Sequence, residues 1–221
     1  MHKTGVDILQ LFSILAIILP VIPLFIIFYK KLHTIPAIQL LIVSLLIWQV
    51  SAIWLFSTED PHQRQLIREI ARGCDCTLLL LIFRVTATNK KLADTFNFLL
   101  ISSVSIIVAI YATTGVERYT NIIKFVQSVL MIGATLLAFS QLMARRDLLL
   151  FESTLFWIGA ATFFTYSMLL LINQIGSGNA QRVNEDKLIL AFLVLFVKYL
   201  FYVITVVITE NTSRKEYNRE F

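Results

Sequence analysis

Cysteine is nearly absent. Cys74 and Cys76 are the only two in 221 residues, so a disulfide scaffold is excluded. Seven glycines and four prolines are too few for a collagen-like or low-complexity disordered chain. Charge is scarce as well, at 15% of residues against about 25% in soluble domains. At 57% hydrophobic and a mean hydropathy of +0.78, the polar surface is too small to cover a water-soluble globule. The formal charge of +5 would suggest a nucleic-acid partner in a soluble protein. In so apolar a chain an orientation signal explains it better, and no nucleic-acid partner is expected.

Long apolar runs take the place of these missing features. Crossing a bilayer takes about 17–25 mostly apolar residues, because lipid offers no partner to an unpaired backbone group. Seven segments qualify: 8–29, 35–56, 69–88, 95–114, 121–142, 148–172 and 188–209. The expected fold is all-α, a single seven-helix membrane domain over residues 1–221 with mostly short connectors. The first run exceeds a signal-peptide core and lacks a small-residue cleavage pattern, so it is expected to be retained. Pro20 and Pro23 should kink it, since each removes a backbone donor. The third span is the weakest, being interrupted by Glu69, Arg72, Asp75 and Arg84, and its neighbours must shield it.

Connector charge gives the orientation. One side carries Lys30, Lys31, Lys90, Lys91, Arg145, Arg146, Arg214, Lys215 and Arg219. The other carries Lys3, Arg64, Arg68, Arg118, Arg182 and Lys187, accompanied by matching acids. The side with more cations is expected to be cytoplasmic, with the N-terminus outside and the C-terminus inside. Removing span three would put Lys90-Lys91 outside and invert every later connector, which favours seven spans over six.

Ionisable residues within a membrane cost free energy and usually face a partner, the bundle interior or water. Glu69, Arg72 and Asp75 are three residues apart, hence on one helical face. Arg64, Arg68 and Arg72 follow at spacing four if the helix begins early. This stripe suits a cleft for a polar or anionic ligand anchored by Arg72, or a self-neutralised network that orients the helix. Lys198 lies near the middle of span seven, and its side chain leans toward the helix N-terminus. Asp75 lies at a matching depth, about 9 Å into span three, so the two are predicted to form a long-range charge pair. Arg84 and Glu152, both in the inner third, form a second predicted pair. Lys124, near the outer end of span five, is expected to snorkel to the interface. Ser102, Ser103, Ser105, Gln49, Ser51, Gln127 and Ser128 are placed for interhelical hydrogen bonds.

Few motifs of catalysis are present. Cys74-Asp75-Cys76 resembles a metal motif only in spacing, since residues two apart point to different sides of a helix. His2, His33 and His62 sit in the tail or connectors. A glycine-rich phosphate loop, a nucleophile elbow and paired catalytic carboxylates are all missing. Neither a metal, a cofactor nor an enzymatic activity is expected. A Lys in the middle of span seven with Arg72-x-x-Asp75 on span three is similar to the microbial rhodopsins. That resemblance implies a retinal Schiff base on Lys198 with Asp75 as counter-ion. It covers those three positions; Val194 and Cys76 stand where that family usually carries an acid and a pocket Trp.

Seven helices, short basic inner connectors and a Phe156-Trp157-Ile158-Gly159 sixth span with Tyr166 downstream resemble the seven-helix sensor regions of bacterial histidine kinases. The resemblance implies a receptor-like sensor subunit in a bacterial cytoplasmic membrane, acting through a protein partner at its basic inner face. A non-catalytic accessory subunit, a small transporter or channel, and a retinal-binding protein are the alternatives.

Overall fold

The computed structural model describes residues 14–15, 17–114, 120–144, 150–174 and 180–217. The start of the first expected span, the glycine- and serine-rich residues 176–179 (expected from sequence to be a flexible turn), His2, Lys3, Arg118, Arg145, Arg146 and Arg219 lie outside the described residues, as do the side chains of Arg182, Arg214 and Lys215. Seven helices are numbered here from the first whose bounds are described: α1 Val21–Tyr29, α2 Pro36–Ser57, α3 Pro61–Val85, α4 Lys90–Thr114, α5 Thr120–Met143, α6 Thr154–Gln174 and α7 Ala180–Tyr217.

Local chemistry sets the boundaries. Leu19 and Pro20 form a turn from which α1 starts, so the first span is interrupted where its prolines begin. At the far end of α1, Lys31 adopts a left-handed φ of 55°, which reverses the chain into a short 3₁₀ turn, Leu32–Thr34. Pro36 and Pro61 occupy first-turn positions of α2 and α3, where a missing N–H costs nothing. Asp60 caps α3, its side chain accepting the His62 N–H at 3.0 Å. Thus α3 begins eight residues before the apolar run at 69, and Arg64, Arg68 and Arg72 do fall on successive turns of one helix.

The burial pattern is that of a membrane protein. Large apolar side chains face outward, Phe25 and Phe98 at 67% and 68% exposure among them, while Ser44, Asp75, Thr135, Thr162 and Lys198 are buried. Segments in α2 (Pro36–Leu55), α5 (Ile122–Met143), α6 (Thr154–Ile172) and α7 (Ile189–Glu210) are long and apolar enough to cross a membrane. The chain is an integral, polytopic membrane protein built as an all-α bundle.

Consecutive helices pack side by side, and α7 also packs on α1, which closes the bundle. Helix α3 touches α2, α4 and α5. Its buried Ile67, Ala71, Cys76, Leu79, Leu80, Ile82 and Phe83 keep one side of the least apolar helix away from the surroundings. Gly159 of α6 lets the α5 ring of Phe139 come close; a Cβ there would lie 2.7 Å from Phe139 Cε1.

The polar contacts between helices differ from expectation. Ser103 is buried beside the Cys76 thiol of α3, while the side-chain amide oxygens of Gln49 and Gln127 have no hydrogen-bond partner among the described residues. Ser105 faces outward. Interhelical bonds include Gln141 Nε2 to the Thr86 carbonyl at 3.0 Å and the Thr154–Thr209 hydroxyl pair at 2.8 Å.

Candidate functional site: a charged face divided in two

The spacing of three along α3 puts Glu69, Arg72 and Asp75 on a common face, and the packing divides that face by depth. Near the Asp60 end, Glu69 is buried at 4% exposure. Arg72 Nη1 donates to its two carboxylate oxygens at 3.0 and 3.2 Å. Lys124 of α5 approaches from the other side, with Nζ 3.6 Å from Oε1. Lys124 therefore reaches a carboxylate of α3 from α5. One acid faces two cations here, and both cations stay partly exposed, at 17% for Arg72 and 25% for Lys124.

About 9 Å further along the helix axis, Asp75 is enclosed at 2% exposure. Its Oδ2 accepts from Lys198 Nζ of α7 at 2.8 Å, and its Oδ1 accepts from Ser44 Oγ of α2 at 2.6 Å. Lys198 is itself only 1% exposed. Its ammonium lies 5.1 Å from the centre of the Trp48 ring and 5.6 Å from that of Tyr202. The aromatic faces add cation–π attraction to the ion pair, worth more in this dry setting than at a surface. The ion pair is neutral and bonded on both carboxylate oxygens, as a charge held inside a bundle must be. Three polar atoms around it, Trp48 Nε1, Tyr166 Oη and Tyr202 Oη, are buried without a hydrogen-bond partner among the described residues.

The four residues expected to form one network thus form two clusters. Arg72 pairs toward Glu69, and Lys198 joins Asp75 across 123 positions of sequence. The sequence-based expectation did not include Ser44, Trp48 or Tyr202. The available signals were the spacing of four between Ser44 and Trp48 and between Lys198 and Tyr202, together with a Trp set deep for an interface belt.

The second predicted pair is not formed. Arg84 and Glu152 are both exposed, and no ion pair joins them to one another. Glu152 lies on a 3₁₀ turn, Leu150–Glu152, ahead of α6, so the apolar run from 148 does not mark the helix start. Arg84 stands in the last turn of α3, where a cation complements the helix C-terminus. At that end of the bundle an ion pair joins Lys30, just past α1, to Glu210 of α7 at 3.0 Å.

The Cys-Asp-Cys triplet separates as helical geometry requires. Cys74 is half-buried on a grooved outer side, and Cys76 is buried in the core. Two grooves on the α2–α3 side are lined without Lys198, whose ammonium is bonded to Asp75. No family model matches this chain, and comparison with characterised proteins and with solved structures finds no match.

Proposed function

We propose that this chain is a receptor-like or sensor subunit with seven membrane spans, an external N-terminus and a cytoplasmic C-terminus, working through a protein partner in a bacterial cytoplasmic membrane. The observation that carries this reading is the position of both charge clusters on one helix. The Glu69–Arg72–Lys124 cluster, partly open at what we take as the outer end, sits two turns from the Asp75 that anchors α7. A polar or anionic ligand that draws Arg72 away from Glu69 would act on the helix whose next charge holds Lys198. Helix α7 also carries Glu210, clasped to Lys30 at the opposite end of the bundle. The path from outer cluster to inner clasp therefore passes through two helices and one buried pair. The layout likeness to kinase-linked sensor regions agrees with this path, and the basic inner connectors would face the partner.

The saturation of Asp75 by Ser44 and Lys198 favours a second reading, a non-catalytic accessory subunit in which the charges serve only to fix the helices. Hydrogen–deuterium exchange on the full chain in nanodiscs separates the two. Under the sensor reading, Asp75→Asn and, more weakly, Arg72→Gln raise amide exchange along 205–217 of α7 while circular dichroism stays constant. Increased exchange confined to the neighbourhood of the substituted residue would overturn the sensor reading and leave the accessory one.

A further inference from the structure

The Asp75–Lys198 pair stands among hydrogen-bonding groups that the described residues leave unanswered. Lys198 has three N–H bonds; one meets Asp75, and the ring faces of Trp48 and Tyr202 lie beside the ammonium. Ser44 takes the other carboxylate oxygen. That leaves Trp48 Nε1 of α2, Tyr166 Oη of α6 and Tyr202 Oη of α7, each buried and without a hydrogen-bond partner among the described residues. Tyr166 is 1% exposed and Tyr202 fully buried. Both lie within electrostatic reach of Asp75, and Tyr166 lies within reach of Tyr202 as well. Three helices thus bring an unanswered polar atom toward one ion pair. A native core rarely leaves such atoms unpaired, because each forfeits its bonds to water on burial.

We propose that ordered internal water sits beside the Asp75–Lys198 pair and joins Trp48 Nε1, Tyr166 Oη and Tyr202 Oη. The chemistry of the three groups selects this ligand. An indole N–H only donates, whereas a phenol donates or accepts, so the shared partner must accept and be free to donate in return. A buried water makes about three bonds to groups otherwise unsatisfied, which is the number of atoms present. An anion would set a second negative charge next to Asp75, against the single Lys198, in a core that screens neither. The water brings α6 to the ion pair itself, in addition to the Thr154–Thr209 bond between α6 and α7. The site stands whether the chain senses a ligand or serves only in assembly.

The test is X-ray hydroxyl-radical footprinting of the purified full chain in nanodiscs, soaked in heavy-oxygen water and diluted rapidly into ordinary water before exposure. Radicals form where water is, so a side chain closed to solvent is oxidised only if water is held beside it. Tyr166 and Tyr202 should gain oxygen carrying the heavy isotope, retained because internal water exchanges slowly. Met131, fully buried in the apolar core and more reactive toward the radical, should stay unmodified. Tyr166→Phe should reduce heavy-oxygen incorporation at Tyr202, and Tyr202→Phe should reduce it at Tyr166. Each variant should also lower the melting temperature by about 2–4 °C, the shift of one lost hydrogen bond in a chain of this size. The double variant should lose less than the sum, because both hydroxyls hold the same water. Hydroxyls left unbonded in a dry core would give the opposite result, since Phe then removes a buried polar atom at no loss. Tyrosines as unmodified as Met131, oxygen at them drawn only from the diluting water, or a melting temperature unmoved or raised by both Phe variants would each overturn the proposal.

Discussion

At the scale of single residues, the Asp75–Lys198 pair dominates the energetics. Two charges inside an apolar bundle are tolerable only together, because removing one leaves the other desolvated and unpaired. Asp75→Asn or Lys198→Met should therefore each cost about 3–5 kcal/mol, read from unfolding in mixed micelles. The double variant should recover a large part of that loss, as coupled neighbours do and independent sites do not. Losses that simply add would mean the two charges are not coupled. The pair could be anticipated because an Asp spaced three from Arg72 and a Lys of matching depth are rare in apolar helices. Ser44 and Trp48 were much harder to read. A serine in a membrane helix can bond its own backbone as readily as a neighbour, and a Trp reads as bulk, so only the ion they surround gives them a role.

At the scale of helices, apolar length located the bodies of the elements and misjudged some ends. α3 extends back to Pro61 because Asp60 and Pro61 form a helix start that hydropathy does not register. α6 starts at Thr154 although the apolar run opens at 148, which leaves Glu152 on the 3₁₀ turn ahead of the helix. The contact between α5 and α6 depends on one missing side chain. Gly159→Leu should lower the melting temperature through overpacking of about 1–3 kcal/mol, since the Phe139 ring occupies the space it needs. Gly159→Ala should cost less, because the end of the ring can shift, and Phe139→Ala in the Leu background should restore part of the loss. An unchanged melting point for Gly159→Leu would show that the two helices do not depend on this close approach.

At the scale of the whole molecule, the proposed orientation fixes which connectors meet the outside. In the proposed seven-span topology, the α2–α3 connector at Glu59 and the α1–α2 connector at Lys31 would face opposite compartments, the former outside. Single cysteines at these positions, in a Cys74→Ala, Cys76→Ala background, should separate with a membrane-impermeant maleimide on intact cells. Glu59→Cys should be labelled directly and Lys31→Cys only after permeabilisation. Labelling of both from one side would rule out the arrangement. Composition and long apolar runs made the all-α membrane bundle legible. They could not have located the closure of α1 on α7, because which helices meet depends on side-chain shape and pairing rather than on hydropathy.

The last helix is one uninterrupted element of 38 residues, about 57 Å long, nearly twice the roughly 30 Å hydrocarbon thickness of a bilayer. A continuous α-helix behaves over that distance as a stiff rod, with no hinge to absorb displacement. Lys198 grips the rod part-way along, and Glu210 lies twelve residues beyond, about 18 Å along the axis. In the proposed sensor, a slide or roll permitted at the grip would be carried along the rod toward the clasp. The mechanical consequence would be a lever whose fulcrum is a single ion pair.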